Sequence, residues 1–450
     1  MSFGLNGSFL ERPRVSCSLG GALAAAGNIP NVAPILHAGP GCAGNFAWAN
    51  NGAAGLAVTG PCLGLNVPAT NIQEREVVFG GIERLREEIL NAAKIIDGQL
   101  YFVLTGCLPE VIGDDVEGLV AELSEGGLPL IMASAAGFKG DSDHGYEAVL
   151  KALFEKFVKP QKTRDPNLVN LWGVPPSLNP FWRGDLLGFK ELLGLLGLRA
   201  NVFFGPEASL KGLKEAGRAS LNVVVSSLYG LGAAELFQEK FGVGFVNAPY
   251  PIGASTSDRF LAIVGESLRI PRAKVKKAIA AGGQRHYDYL EPLVDVYNDM
   301  EAQRHALIVG DANYALALTD FFAQDLGWIP ELTVVTNDLS SESQKEILKG
   351  HLAMGGTAPG RLAFESRSGA IAREAQAIWA NPGQKYRDSR QPVFVAGSSL
   401  ERSLAAELGA AHLSLTYPVA NRAILDRGYV GYSGGLRLTE DAVGAIVAGR

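Results

Sequence analysis

The sequence predicts an α/β protein made of three doubly wound, Rossmann-like domains, each built around a parallel sheet. Two observations lead to this prediction. Short apolar segments typical of buried strands alternate with helical patterns along almost the whole chain, and this alternation produces parallel sheets with right-handed crossovers. The chain also has 450 residues, which is too long for one ordinary hydrophobic core and suggests about three domains at ~150 residues each.

The alternating segments set the expected domain boundaries. The predicted strands are residues 33–36, 100–105, 128–132, 168–172, 200–204, 222–226, 305–310, 332–336 and 393–396. The predicted helices between them include residues 82–94, 185–196, 315–326 and 399–408. A helical stretch at 272–303 is expected to cross the second junction. We therefore expect domains at residues 1–160, 161–300 and 301–450, of which the first carries every cysteine of the chain.

Composition and charge exclude several functional classes. The formal net charge is −6, and no basic stripe suggests binding to nucleic acid. No uninterrupted apolar run approaches the ~18 residues that a membrane span requires, and residues 1–4 lack the basic region of a secretory signal. Four cysteines in 450 residues are too few for a disulfide framework. We expect a cytoplasmic protein.

The sequence has no recognisable phosphate-binding loop. A Walker A motif requires a Gly-Lys dipeptide, and this chain has none. Residues 308–313 (IVGDAN) indicate only a turn from a strand into a helix. If ATP hydrolysis drives the chemistry, another protein therefore performs it.

Three cysteines, Cys17, Cys42 and Cys107, each lie where a strand or loop passes into a predicted helix. Small residues flank each of them and leave room for a group bulkier than a side chain. A helix N-terminus favours the thiolate, which is the form that binds metal. Three thiolates are one short of a closed four-cysteine iron–sulfur or zinc site. The sequence therefore predicts half of a metallocluster site that a second subunit completes.

A structural role is the alternative for each cysteine, because a lone cysteine in an apolar α/β protein usually packs as a small core residue. Cys62 keeps this interpretation. The other three lie near predicted strand ends, and ligands of open α/β sheets bind at the carboxyl ends of strands. The acidic residues of segment 110–115 (EVIGDD) are expected mainly to cap the next helix.

Three sequence blocks resemble the signature segments of the nitrogenase component 1 family, which includes both nitrogenase subunits, their cofactor-assembly scaffolds and nitrogenase-like reductases. The blocks are residues 37–42 (HAGPGC), 73–81 (QEREVVFGG) and 105–115 (TGCLPEVIGDD). Their order and spacing match the family. The likeness continues at 169–173 and 181–186 and covers essentially the whole chain. It implies the nitrogenase component 1 architecture and a subunit of an oxidoreductase metalloenzyme.

The resemblance also implies a cofactor and partners. In this family three cysteines bind one half of the P-cluster, an eight-iron electron relay between the α-like and β-like chains. Carried over, Cys17, Cys42 and Cys107 would ligate a P-type 8Fe-7S iron–sulfur cluster shared with an α-like partner chain. The working assembly would be an α2β2 heterotetramer that receives electrons from a homodimeric, ATP-hydrolysing iron protein. The large catalytic cofactor is expected in the partner only, so no catalytic residue is expected here.

The assignment to the β-like chain follows from two absences. A nitrogenase α chain holds its catalytic cofactor through one cysteine in the middle domain and one histidine near the C-terminus. This chain has no cysteine after Cys107, and its last histidine is His412. Both His412 and His305 are expected to be structural. Residues 417–419 (YPV), followed by 428–432 (GYVGY), also resemble the β-like chain.

Two departures indicate a divergent relative. Residues 44–52 (GNFAWANNG) are similar to assembly scaffolds and α-type chains, and residues 137–140 (GFKG) lack the serine that some β chains offer as an extra cluster ligand. We therefore expect a β-like subunit of a nitrogenase-like methylthio-alkane reductase, which cleaves C–S bonds of small thioethers. The alternatives are a cofactor-assembly scaffold, a dinitrogen-reducing β chain, and an α/β protein that binds a small molecule without metal.

Overall fold

Helices and strands alternate along the chain in the computed structural model, which describes residues 14, 16–56, 67–379 and 390–448. Cys62 therefore lies outside the described residues. The strands within these ranges are β1 (Val32–His37), β2 (Leu100–Thr105), β3 (Leu130–Ser134), β4 (Asp165–Trp172), β5 (Arg199–Val202), β6 (Ala219–Val224), β7 (Phe245–Asn247), β8 (His305–Gly310), β9 (Ile329–Val335), β10 (Leu362–Phe364), β11 (Val393–Gly397) and β12 (Ala411–Ser414).

The strands are connected mainly by α-helices. These are α1 (Ser18–Ala26), α2 (Pro40–Gly52), α3 (Glu74–Phe79), α4 (Ile82–Ile95), α5 (Cys107–Ile112), α6 (Val116–Glu125), α7 (Ser142–Lys156), α8 (Trp182–Leu195), α9 (Leu210–Lys214), α10 (Leu231–Phe241), α11 (Gly253–Ser267), α12 (Arg272–Leu290), α13 (Val294–Asp299), α14 (Ala312–Asp320), α15 (Ser341–Ala353), α16 (Ser368–Trp379), α17 (Arg402–Glu407) and α18 (Gly431–Ala448). Short 3-10 helices and one π-helix occupy Gly137–Lys139, Ala216–Arg218, Glu291–Leu293, Phe321–Asp325 and Ser399–Glu401. None of the helices in the described ranges combines the length and apolarity needed to cross a bilayer.

The strands form three separate sheets, in the orders β1-β2-β3, β5-β4-β6-β7 and β10-β9-β8-β11-β12. Every strand pairing in them is parallel. This arrangement confirms the predicted α/β class with three Rossmann-like parallel sheets. We propose domain boundaries in the connections between the sheets, near residues 160 and 300.

The first sheet is covered by helices on both faces, as parallel sheets require. On one face, Leu85 and Ile89 of α4 pack with Val103 of β2 in a buried apolar cluster. On the other face, α1 and α7 approach so closely that a Cβ atom at Gly21 would lie 2.1 Å from the Ser142 carbonyl oxygen. The glycines of α1 therefore fix the depth of this helix and, with it, the position of its N-terminal residue.

A buried carboxylate joins the second and third sheets to the C-terminal segment. Asp185 is fully buried, and its Oδ2 accepts hydrogen bonds from Asn179 Nδ2 at 2.9 Å, Tyr250 OH at 2.7 Å and Tyr314 OH at 2.8 Å. Its Oδ1 accepts from the Tyr429 amide at 2.7 Å. Burial raises the pKa of Asp185, and these donors counteract the rise by stabilising the charged form.

Helix α18 returns from the third sheet to pack against the middle of the chain. Gly282 of α12 makes room for the Tyr432 ring, since a Cβ atom at Gly282 would lie 2.1 Å from it. The Tyr432 hydroxyl donates to Asp258 of α11, and its carbonyl oxygen lies 3.0 Å from Nδ1 of His286. Helices α11, α12 and α18 thus form one packed layer.

Candidate metallocluster site

The three cysteines predicted as ligands all lie at helix N-termini. Cys17 is the N-cap residue of α1, Cys42 lies in the first turn of α2 after the N-terminal Pro40, and Cys107 is the first residue of α5 directly after β2. The helices α2 and α5 follow the carboxyl ends of β1 and β2, which are neighbours in the first sheet. The topology of the sheet therefore brings two of the cysteine-bearing segments to one edge.

Gly137 lies between two of the thiols. A Cβ atom at this position would lie 3.3 Å from Cys107 Sγ and 3.4 Å from Cys17 Sγ. The Gly137 amide donates a hydrogen bond to Cys107 Sγ at 3.1 Å. Cys42 is near enough to both that their charges act on it. The structure thus brings Cys17 and Cys107 together at Gly137 and places Cys42 in their neighbourhood.

The pKa of Cys42 moves opposite to the expectation from its helix N-terminus. Burial raises the pKa of the Cys42 thiol, and the neighbouring Cys17 and Cys107 sulfurs raise it further. Three thiolates in one place repel one another, so the chain by itself disfavours the fully charged set. A bound cation reverses this balance because it attracts each thiolate.

The three thiols differ in exposure and are not arranged as the ligands of one metal ion. Within the described ranges, no three His, Cys, Asp or Glu side chains are grouped so that they could hold one metal ion. Cys17 and Cys42 are half-buried, while Cys107 is exposed. No atom lies within 4 Å of a Cβ placed at Gly44. Space is therefore open beside Gly44 on the helix that carries Cys42, and the Cys107 side chain reaches the surface.

A buried histidine connects the three sequence blocks that carry the family resemblance. His37 Nε2 lies 3.0 Å from Asp114 Oδ2, and His37 Nδ1 lies 3.1 Å from Thr70 Oγ1. Asp114 Oδ1 accepts from the Gly81 amide at 2.9 Å. Burial lowers the pKa of His37, and the hydrogen bond to Asp114 offsets only part of this effect. A neutral ring that donates from Nε2 and accepts at Nδ1 satisfies both partners.

This histidine fixes the two cysteine-bearing segments relative to each other. His37 ends β1 and precedes the loop to Cys42, while Asp114 follows the helix that begins with Cys107. Both residues lie in the signature blocks, but the sequence indicated only a helix-capping role for the acids of segment 110–115 and no role for His37. A histidine in one block and an acid in another are too weak a signal to predict their contact.

Replacing His37 with alanine is expected to lower the free energy of unfolding by roughly 2–4 kcal/mol, because it leaves Oδ2 of the buried Asp114 carboxylate without its donor. Bound iron is expected to fall as well. His305→Ala is the matched control, because His305 pairs with Glu331 at 2.8 Å where both side chains reach solvent; its effect should be under about 1 kcal/mol. Thermal unfolding and iron content measure both variants, and equal losses would contradict the assigned role.

Glu110 forms a second polar network behind Cys107. Its carboxylate accepts from Thr105 Oγ1 at 2.7 Å and from Ser134 Oγ, and it pairs with Lys139 Nζ at 2.5 Å. Burial alone would raise the pKa of Glu110, but the hydrogen bonds from Lys139, Ser134 and Thr105 outweigh it and lower the pKa. Of the acidic segment 110–115, Asp115 caps α6 as expected by accepting from the Gly118 amide at 2.9 Å. Glu110 therefore belongs to the site.

Several large apolar side chains are exposed on the elements that carry or adjoin the cysteines. Val78 and Phe79 at the end of α3 are 72% and 82% exposed, Val111 of α5 is 71% exposed, and Phe138 beside Gly137 is 62% exposed. Helix α3 packs against α5, so these residues belong to the same part of the surface. Exposed apolar groups in such a cluster are typical of a protein–protein contact surface. We call these four residues the apolar face.

The two histidines considered for a cofactor have structural partners. His412 Nε2 lies 2.9 Å from the Ser398 carbonyl oxygen, and His305 pairs with Glu331. A cavity between the second and third sheets, lined in part by Ser226, Asn313 and His351, has a volume of 40 Å³. That volume suits a few water molecules.

A family model described as nitrogenase component 1 type oxidoreductase matches residues 17–447 of this chain. The chain belongs to this family. As a member, it is a subunit of the oxidoreductase metalloenzyme class, in agreement with the resemblance carried by the three signature blocks.

Both β chains and assembly proteins of nitrogenases are similar to this family member. The nitrogenase iron-iron protein beta chain of Rhodobacter capsulatus is 25% identical over 73% of this chain and 73% of its own length. The nitrogenase vanadium-iron protein beta chain of Trichormus variabilis is 23% identical over 83% of this chain and 90% of its own length. The nitrogenase iron-molybdenum cofactor biosynthesis protein NifE of a Nostoc species is 28% identical over 59% of this chain and 54% of its own length.

The fold of this nitrogenase component 1 member is also found in a solved structure. The structure titled nitrogenase Cp1 at pH 6.5 superposes with a TM-score of 0.78 at 18% identity, covering 99% of this chain and 95% of that chain. The likeness therefore extends over all three sheets.

Proposed function

We propose that this chain is the β-like subunit of a nitrogenase-like reductase and that Cys17, Cys42 and Cys107 hold its half of a P-type 8Fe-7S cluster. The observation that carries the proposal is that Cys17 and Cys107 meet at Gly137, with Cys42 close enough that both raise the pKa of its thiol. Thiolates are the usual ligands of iron–sulfur clusters. Three thiolates from one chain leave coordination positions of the cluster irons open for ligands from a second chain.

The partner that completes the site is proposed to be an α-like chain, which supplies the other thiolates. The apolar face beside the exposed Cys107 supports a protein neighbour at this edge. The complete assembly is proposed to be an α2β2 heterotetramer served by a homodimeric, ATP-hydrolysing iron protein.

The bound cluster would supply electron relay from the iron protein to the cofactor of the α-like chain. The residues of this chain would bind the cluster and orient its thiolate ligands. The N-termini of α1, α2 and α5 present the thiolates, and the contact between His37 and Asp114 fixes the spacing of the segments that carry Cys42 and Cys107. Ligand geometry, hydrogen bonds to sulfur and exclusion of water are the means by which proteins tune such clusters.

Reductive C–S cleavage of small methylthio-alkanes is the proposed reaction of the complex. Its support lies in the sequence, because residues 137–140 lack the serine that some β chains offer as an extra ligand and residues 44–52 resemble assembly scaffolds and α-type chains more than β chains. Reduction of dinitrogen is the alternative within the same class. The substrate contacts belong to the α-like chain in either case.

The proposal is tested by anaerobic co-expression with the α-like chain, followed by iron quantification and EPR spectroscopy of the purified complex. We expect a stable complex whose iron content accounts for two large clusters per αβ pair, with turnover of thioethers when the iron protein and ATP are added. Folded complex purified without iron would contradict the proposal.

A cofactor-assembly scaffold is the second candidate function. The 28% identity to the NifE protein and residues 44–52 favour it. A scaffold should release its large cluster to an apo-enzyme and show negligible turnover, whereas a reductase subunit should keep its clusters and turn over. Cluster transfer to apo-enzyme, measured beside thioether reduction in one preparation, separates the two.

A further inference from the structure

We propose that Glu110 and Lys139 are positioning residues that set the reduction potential at Cys107. They do so by holding residues 137–139 in the place from which the Gly137 amide donates to Cys107 Sγ. This inference rests on the proposed cluster-binding function and adds the residues that tune it.

The 137–139 turn is held at one end by the amide–sulfur contact and at the other by an ion pair. The Gly137 amide lies 3.1 Å from Cys107 Sγ. Two residues later, Lys139 Nζ pairs with Glu110 at 2.5 Å and also donates to Ser134 Oγ at the end of β3. Glu110 lies on the same short helix as Cys107. The turn and the thiol are therefore tied to each other through one helix.

The position of Gly137 leaves little tolerance for movement or for a side chain. A Cβ atom there would lie 3.3 Å from Cys107 Sγ and 3.3 Å from Cys17 Cβ. At these distances Cys107 Sγ and Cys17 Cβ would each have to give way by a few tenths of an ångström. The Gly137 backbone therefore occupies the space beside the sulfurs that a side chain would otherwise fill. The direction of its N–H bond depends on how the 137–139 turn is anchored.

Glu110 is built into the site rather than placed on its surface. Its carboxylate receives hydrogen bonds from Thr105 at the end of β2 and from Ser134 at the end of β3. These two strands are neighbours in the first sheet. Glu110 is therefore a fixed anchor, and Lys139 carries that fixed position to the turn.

The expected effect on the potential has a definite sign. A hydrogen bond to a ligating thiolate stabilises the more electron-rich state of an iron–sulfur site, so it raises the reduction potential. Loosening the turn weakens the bond and lowers the potential. The charge of Glu110 acts in the opposite direction, because removing a nearby negative charge favours the reduced state.

The substitution Glu110→Ala therefore distinguishes a positioning role of Glu110 from a direct effect of its charge, because the two shift the midpoint potential in opposite directions. If Glu110 acts only through its charge, the midpoint potential rises; if it acts by anchoring the turn, the midpoint falls. We expect a fall that changes the ratio of reduced to oxidised sites at fixed potential by about tenfold, or ~59 mV for a one-electron step. Lys139→Met should lower the midpoint as well, and Lys139→Arg should restore it. Lys151→Met is the matched control, since Lys151 pairs with Glu147 at 2.8 Å in the same surface cleft without touching Glu110.

The measurement is an EPR-monitored redox titration of the anaerobically purified αβ complex, with iron content and hydrogen exchange of the Gly137 amide measured on the same samples. The inference holds if Glu110→Ala and Lys139→Met keep iron, exchange faster at Gly137 and shift the midpoint down. It is overturned if Glu110→Ala keeps iron with an unchanged or higher midpoint, whatever the midpoint of Lys139→Met, because loss of the lysine charge lowers the midpoint by itself. If both Glu110→Ala and Lys139→Met lose iron, the inference is tested on Lys139→Arg instead. The midpoint potential of that variant must match the wild-type value. If the wild-type complex itself contains no iron, the proposed cluster-binding function is contradicted, and not only the role of Glu110 and Lys139.

Discussion

Cys107→Ala is expected to abolish iron binding at the cluster site that the two chains share, while the iron of the partner's own cofactor remains, and to weaken the association of the two chains. Cys107 is the most exposed of the three thiols, and it receives the hydrogen bond from Gly137. Loss of one thiolate of three leaves part of the cluster without a protein ligand on this chain. Anaerobic purification followed by iron quantification, EPR spectroscopy and gel filtration measures both effects.

Cys62→Ala is the control for this experiment, because Cys62 is the cysteine of the chain to which no ligand role is assigned. It should retain the wild-type iron content and the intact complex. Equal iron content in Cys62→Ala and Cys107→Ala would refute the ligand assignment. Cys17→Ala and Cys42→Ala should behave as Cys107→Ala does.

Asp185→Ala is expected to lower the free energy of unfolding by roughly 3–5 kcal/mol. The substitution leaves the buried hydroxyls of Tyr250 and Tyr314, the Asn179 amide and the Tyr429 backbone amide without their acceptor. Each buried donor without a partner costs about 1–3 kcal/mol. Asp185→Asn, which keeps two acceptor positions at most, should cause a smaller loss. Thermal or urea unfolding of the purified protein measures the difference.

Asp426→Ala provides the comparison, because Asp426 is an exposed acid in the same C-terminal segment. Its effect should stay within about 0.5 kcal/mol. If Asp185→Ala changed stability as little as Asp426→Ala, the buried network would contribute little to joining the second and third sheets.

Much of the fold could be predicted from the sequence, because central parallel strands are continuous apolar runs. The segments predicted at 100–105 and 305–310 coincide with β2 and β8. The strands that were missed, β7, β10 and β12, are three or four residues long and lie at sheet edges. Edge strands are covered on fewer sides, so their sequences carry a weaker apolar signal.

Only part of the candidate site could be predicted from the sequence, because its cysteines are visible there but the contacts that hold them are not. Cysteines before helices are visible in the sequence, and so is their number. The contacts that hold them depend on residues far apart along the chain, such as His37 with Asp114 and Glu110 with Lys139. No local pattern encodes a pairing over such a distance, so these contacts had to come from the structure.

The packing of α18 has a consequence for the order in which the chain matures on the ribosome. Gly435 lies so close to Gly253 that a Cβ atom there would come within 2.6 Å of the Gly253 Cα, and Tyr432 bonds to Asp258. The middle sheet and its helices are synthesised long before α18, yet α11 and α12 lack this neighbour until residues 431–448 have emerged. A premature stop or a cut after the third sheet would therefore damage the middle of the molecule, not only its end.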